Sequence, residues 1–210
     1  MAQKILKPII RYVEDSSIYN DVKSNNFLNK KYNEFINTPI LIEHILINEC
    51  IFENIDFSKI KMEGVSFLDC QFVHCQFIKN DLSKMNFTRV EFIQCNFLNV
   101  SFFKSTFKHV FFKTCSSKYA NFSESKIDYF QIMDSYFFST YLSSSIIQAL
   151  ELNHVDLEES EIIQTPLKSC DLTTCNLSKV RLDLPSIQGC KVNFSQAISI
   201  LKLLGIEIVE

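Results

Sequence analysis

Cysteine and histidine are the residues of this 210-residue chain most suited to chemistry. Cys50, Cys70, Cys75, Cys95, Cys115, Cys170, Cys175 and Cys190 offer thiols for disulfides or thiolates for a metal. His44, His74, His109 and His154 offer imidazoles to complete such a site. In one dimension Cys70-x-x-x-His74-Cys75 reads as a ligand cluster. The spacing argues against it. Every cysteine falls on a multiple of five, and every histidine falls one residue before such a multiple. If the first kind of position points inward and the second outward, no cysteine and histidine converge on one ion. No metal and no cofactor is therefore expected. Glu158 and Glu159 form an adjacent carboxylate pair, but no outward acid, base and nucleophile recur together, so enzymatic chemistry is not expected either.

The positions of the cysteines belong to a longer rhythm. Two residues after each comes a large apolar slot: Phe52, Phe57, Met62, Phe67, Phe72, Phe77, Leu82 and Phe87 begin a run that reaches Val192. Of its 29 slots only Ser117 is polar, and Ile42 and Ile47 extend the phase backwards. A period of five is neither the 3.6 of a helix nor the 2.0 of a strand. It is an internal repeat, and the repeat decides the architecture.

A five-residue unit that forms one side of a coil and then turns closes a square after four units. Calling the apolar slot i, residues i and i−2 share the inner face, because residues two apart in extended backbone point the same way. Residues i−1, i+1 and i+2 look outward, as Asp81, Ser83 and Lys84 do around Leu82. Coils stacked about 4.8 Å apart would put Phe52, Phe72, Phe92 and Phe112 in one ladder and Cys75, Cys95 and Cys115 in another. Cysteine in the i−2 slot keeps company with Ile55, Val65, Val90 and Ala120, as a small buried residue does. Parallel Cβ vectors suit a disulfide badly, so reduced thiols are expected. Ser117 marks either a widened coil or bulge that projects a contact loop, or a substitution that the coil tolerates. Pro166 and Pro185 fall where extended or turn backbone admits proline.

The fold expected is all-β: a quadrilateral β-helix over residues 41–194, with an N-terminal cap or extension over 1–40 and a terminal segment over 195–210. Val22, Phe27 and Tyr32 keep the phase in the first segment, whereas Asn20, Asn25 and Lys30 do not fit an interior. That leaves coil and helix both open there. Near the C-terminus Asn193 or Ser195 can start a helix and Gly205 can stop it. Ile198, Ile200, Leu201, Leu203, Leu204, Ile206 and Ile208 exceed what a lone capping helix buries. A two-fold homodimer through this segment is expected.

Twenty-one basic and 24 acidic residues give a net charge of −3, with no global attraction to nucleic acid or membrane. No stretch is long and apolar enough to span a bilayer and the N-terminus lacks a signal-peptide core, so a cytoplasmic location is expected. The charge is uneven along the chain. Residues 119–166 sum to −7, and residues 75–118 sum to +5.

Ala120-Asn-Phe-Ser-Glu124, Cys170-Asp-Leu-Thr-Thr174, Cys175-Asn-Leu-Ser-Lys179 and Asn80-Asp-Leu-Ser-Lys84 match the A(D/N)LXX unit of pentapeptide-repeat proteins. The resemblance covers about three quarters of the chain. It implies a right-handed square coil with a C-terminal capping helix. The ending Val192-Asn-Phe-Ser-Gln-Ala-Ile-Ser-Ile-Leu-Lys-Leu-Leu-Gly-Ile-Glu-Ile-Val209 further resembles the terminal helix and strand of the Qnr-type quinolone-resistance proteins, of the loop-free Gram-positive kind. That resemblance implies a tail-to-tail dimer that binds DNA gyrase or topoisomerase IV in place of bent DNA and protects it from quinolones or toxins. It also implies no direct nucleic-acid or membrane contact. Glu124, Asp128, Asp134, Glu151, Asp156, Glu158, Glu159 and Glu161 would then stand in for phosphates. The other reading is a structural or adaptor protein with an unrelated protein partner.

Overall fold

A computed structural model describes residues 4–203, 205–207 and 209. The chain winds as a square β-helix of about eight turns. Every parallel pairing from Leu28↔Asn48 to Asp171↔Lys191 keeps a 20-residue register. The first side of each coil carries Phe52, Phe72, Phe92, Phe112 and Ile132. The second carries Phe57, Phe77, Phe97, Ser117 and Phe137. Met62, Leu82, Phe102 and Phe122 lie on the third, and Phe67, Phe87, Phe107 and Ile127 on the fourth. Strands Ser66–Val73, Asn86–Ile93, Thr106–Lys113 and Lys126–Tyr136 run from the fourth side around a corner onto the first. On the second and third sides pairing shrinks over the middle coils to single bridges, such as Gln76↔Asn96 and Ser101↔Asn121, while towards the ends the third side pairs Ile40–Glu43 with Ile60–Glu63 and Glu161–Ile162 with Arg181–Leu182.

The corner explains the five-residue period. Residue i+2 takes the left-handed conformation coil after coil, at Asn54, Asp69, His74, Lys79, Lys84, Arg89 and onward to Lys179, with φ of 47–62°. For a residue other than glycine this costs on the order of 1 kcal/mol. The stacked hydrogen bonds on both sides of the corner hold it there. Gly64 is the exception with its own reason, since a Cβ there would meet Nδ1 of His44 at 2.5 Å. The Asp or Asn at i−1 has a local role: its carboxyl or amide oxygen accepts the N–H of residue i+1, at 2.9 Å for Asp56 and Ser58 and 2.9 Å for Asn121 and Ser123. Such Asx turns preorganise the bend.

Inside, Phe52, Phe72 and Phe92 stack with centroids 4.8 and 4.9 Å apart, and Phe57, Phe77 and Phe97 with 4.4 and 5.0 Å. Each buried ring contributes about 2–3 kcal/mol before its entropy cost. The i−2 slot does more than supply small volume. The thiols of Cys75, Cys95 and Cys115 donate to the carbonyls of Phe52, Phe72 and Phe92, 23 residues back, at 3.3–3.4 Å. Ser105, Ser125, Thr140, Ser145 and Ser160 occupy equivalent slots and donate in the same way, at 2.6–3.0 Å. Cysteine and serine thus alternate in one job. All eight cysteines are free thiols.

Ser117 forms neither bulge nor loop. It is 0 % exposed, its N–H donates to Tyr136 O at 2.7 Å, and its carbonyl accepts from Ala120. Its hydroxyl has no hydrogen-bond partner, so the coil tolerates it at a cost. Below Phe122 and Phe137 the rings give way to Leu and Ile, and an apolar void of about 30 Å³ opens between Phe122, Ile132, Leu142, Leu152 and Leu157.

The two ends differ from a simple coil. Pairing in the 20-residue register already starts at Leu28, inside the segment expected as a cap. Tyr32 stacks on Phe52 at 4.9 Å, and its hydroxyl donates to buried Asp21 on helix α1 (Ile18–Ser24) at 2.8 Å. Coil and helix therefore coexist there. Near the other end Pro185 sits in the first turn of the short helix α2 (Leu184–Ile187), where its missing N–H is not needed. Helix α3 (Phe194–Leu203) closes the last coil. Asn193 accepts Gln196 N–H at 3.0 Å while Gln196 accepts Asn193 N–H at 2.7 Å, a capping box. The amide of Gln196 also donates to the open carbonyls of Leu172 and Cys175, both at 2.8 Å. Contrary to expectation, no described residue beyond Leu203 lies in a strand.

Candidate protein-binding surface

With the interior filled by side chains and thiols, only outward residues can meet a partner. The eight acidic residues proposed for that role do not form one face. Asp134 and Glu151 lie on the first side, Asp156, Glu158 and Glu159 on the second, Glu124 and Glu161 on the third, and Asp128 on the fourth. Four of the eight, however, lie close together. Asp156, Glu158, Glu159 and Glu161 come together where the second side turns into the third, one coil before Lys179 and Arg181.

That cluster is partly neutralised. Lys179 Nζ lies 3.3 Å from Glu158 and 3.2 Å from Glu159, and Arg181 lies 2.7 Å from Glu161. Hydrogen bonds that the Lys179 ammonium donates to Glu159 and Glu158 hold it above its ordinary value. Asp156 accepts from the backbone of Glu158 and from the Asn176 amide. Elsewhere Glu124 pairs with Lys104 at 3.2 Å, and Asp134 faces His154 at 3.8 Å. A tally of charge along the chain missed these pairs because their partners lie one coil, or 20 residues, away. The cluster keeps a surplus, since one lysine serves two glutamates there.

A second outward feature adjoins it. Tyr119, Tyr136 and Tyr141 are exposed on the second and third sides, and Lys118 stands over the rings of Tyr119 and Phe138 at 5.0 and 4.9 Å. Such cation–π stacks fix the lysine as well as the rings. Lysines, then aromatics, then carboxylates succeed one another along this edge of the rod.

The C-terminal residues expected to dimerise divide by burial. Ile200 is buried against the last coil and Ile198 is half-buried, so these two serve the cap. Leu201, Leu203 and Ile206 are exposed, and so are Phe194 at 82 % and Val209 at 84 %. Leu204 and Ile208 lie outside the described residues. Phe194, at the outward i+2 position after the last apolar slot Val192, was missed because the apolar count of the terminal segment began inside the helix at Ile198.

The N-terminal strap was also missed. Residues 4–13 run extended along the corner between the fourth and first sides, joined to the coil by backbone N–H groups of Leu6 and Ile9. Neither a repeat nor a helical pattern marks this stretch. The only signal is the alternation of Ile5, Pro8, Ile10 and Val13, which lie half-buried, with exposed Leu6, Ile9 and Tyr12. Among the described residues no three His, Cys, Asp or Glu side chains gather as a metal site, and no helix is long and apolar enough to cross a membrane.

A family model described as a pentapeptide repeat region matches residues 85–165. No curated protein matches at the sequence level. Among solved structures, trypsin-treated QnrB1, a plasmid-mediated fluoroquinolone resistance protein, aligns at 19% identity and a TM-score of 0.37, covering 87% of this chain and 97% of that one. Full-length QnrB1 aligns at 18% identity and a TM-score of 0.36, over 81% and 99% of the two chains. HetL, a pentapeptide repeat protein involved in heterocyst differentiation regulation in the cyanobacterium Nostoc, aligns at 11% identity and a TM-score of 0.33, over 84% and 89%. At such identities and scores the likenesses carry no functional argument.

Proposed function

Since the chain is a pentapeptide-repeat protein, we propose that it acts by binding rather than by chemistry, and that its partner is a type II topoisomerase, DNA gyrase or topoisomerase IV. In this reading the rod takes the place of bent duplex DNA on the enzyme and shields it from quinolones or toxins. The observation that carries it is the carboxylate surplus of Asp156, Glu158 and Glu159 near the C-terminal end of a rod with no chemically available interior. Two rods joined at exposed Leu201, Leu203 and Ile206 would place two such clusters about a two-fold axis, as a basic DNA-binding groove requires. Strand spacing gives the rod a length of roughly 35 Å over the repeats, enough to follow about ten base pairs of duplex per protomer.

A second reading, an adaptor for an unrelated protein, is favoured by one observation. The other five acidic residues are spread over the remaining three sides, and Glu124 and Glu161 are matched by Lys104 and Arg181. Supercoiling by purified gyrase, with and without a fluoroquinolone, separates the two. The topoisomerase reading expects inhibition or protection at micromolar protein. It also expects Glu158→Lys with Glu159→Lys to weaken that effect about tenfold, while reversal of Glu53 near the far tip leaves it unchanged. Absence of any effect on supercoiling or on drug action leaves the adaptor reading.

A further inference from the structure

Turn residues of this coil normally face water, but the corner column Asp69, Arg89, His109 and Tyr129 does not follow the rule. Asp69 is 5 % and His109 is 7 % exposed, because the strap of residues 4–13 lies along this corner. Asp69 Oδ1 accepts the N–H of Ile9 at 2.8 Å, and His109 Nδ1 accepts the N–H of Leu6 at 3.3 Å. These acceptors stand two coils apart, about 9.6 Å by strand spacing, and three extended residues span about 10 Å. Leu6 and Ile9 are three residues apart. The column therefore measures an extended backbone.

The two acceptors differ in what holds them. Arg89 grips Asp69 with both arms, Nε to Oδ1 at 2.6 Å and Nη2 to Oδ2 at 2.5 Å, so this acceptor is held in place by a bidentate pair. His109 stacks on Tyr129 at 4.7 Å and 10°, and it can accept from Leu6 only while Nδ1 is unprotonated. Beside it Asp128 has a buried Oδ1 without a hydrogen-bond partner. An imidazolium would thus find a counter-charge in place, and the coil beneath would stay folded while the strap lost its acceptor.

We propose that this corner column is a binding site for an extended peptide, that its resident ligand is the chain's own N-terminal strap, and that protonation of His109 releases the strap's outer half. Several charges bear on the histidine. Burial lowers its affinity for a proton, Lys108 and Arg89 lower it further, and Asp128 opposes them. The strap's Lys4 and Lys7 share a cavity on the first side with Glu91, Lys113 and Glu151. The sign follows from linkage. A histidine held below its ordinary 6.5 in the closed state stabilises closure above that pH, and this stabilisation falls away as the pH drops below it.

Amide hydrogen exchange on the full chain tests the proposal, with rates corrected for intrinsic pH dependence. At pH 7.5 Leu6 and Ile9 are expected to be protected. At pH 5.5 Leu6 should lose about tenfold in protection while Phe92 and Phe112 keep theirs. His109→Gln, which accepts without titrating, should make Leu6 protection independent of pH. His109→Phe, which stacks without accepting, should abolish it at both. The midpoint for Leu6 in the unmodified chain must also coincide with the imidazole titration followed by NMR, a comparison that needs no variant. The binding arm uses full-length Ile10→Asp, whose strap is loosened, and a labelled peptide of residues 4–13. Saturable binding at pH 7.5 that weakens about tenfold at pH 5.5 is expected. An unprotected Leu6 at pH 7.5, protection insensitive to pH, mismatched midpoints, or no saturable peptide binding would each overturn it.

Discussion

At the scale of single residues, the i−2 slot explains why cysteine is abundant in this rod. A thiol there fills the volume of a valine and still donates to the carbonyl one coil back, as Cys95 does to Phe72. Serine makes the shorter bond in the same slot, as Ser125 does to Phe102. Burial pushes the Cys50 thiol up to about 11 and the Cys170 thiol up to about 12, from an ordinary 9.0. Both keep their protons when folded, so their stabilisation is complete below pH 9.0 and is lost as pH rises through the folded values. The melting temperature should therefore hold level to about pH 8.5 and then fall, at about 1.4 kcal/mol per pH unit for each such thiol. Cys50→Ser with Cys170→Ser should make that fall shallower in a thermal melt recorded from pH 7 to 11. An unchanged slope would remove the thiols as its cause.

At the scale of elements, the caps carry what a repeat cannot supply for itself, an end. Gln196 closes the last coil by donating to Leu172 and Cys175 while completing the box with Asn193. Gln196→Leu keeps the volume and leaves both carbonyls without a donor, which should cost about 2–3 kcal/mol. Faster amide exchange over residues 170–192, with Phe92 unchanged, is the measurement that checks it. The inward and outward assignment of the repeat was legible in the sequence because one period governs every coil, and the helix start at Asn193 was legible from its cap. The strap was not, because its contacts run to Asp69 and His109, 60 and 103 residues away, and leave no local period. For the same reason the acidic segment looked more exposed in sequence than it is. A linear count places Glu161 among acids, and the coil places Arg181 over it. The side chain of Ser117 told nothing by itself, since a polar residue in an apolar slot reads equally as loop or as defect until its backbone bonds are seen.

At the scale of the whole molecule, the apolar end formed by Leu201, Leu203 and Ile206 is the region best placed to join two rods. Leu201→Asp should halve the mass measured by sedimentation equilibrium while leaving the far-ultraviolet spectrum of the coil intact. A mass unaffected by the substitution would mean that the chain does not assemble through this end. The unbroken 20-residue register from Leu28 onward has a different consequence, for how such a rod can change through descent or design. Gain or loss of 20 residues alters its length by one step and leaves every column in place. Gain or loss of five rotates all that follows by a quarter turn, carrying the carboxylate cluster to a new side while the interior still fits. The thread of this screw therefore lets length and bearing vary in separate, discrete steps, and a partner that reads both sees a ruler with a dial.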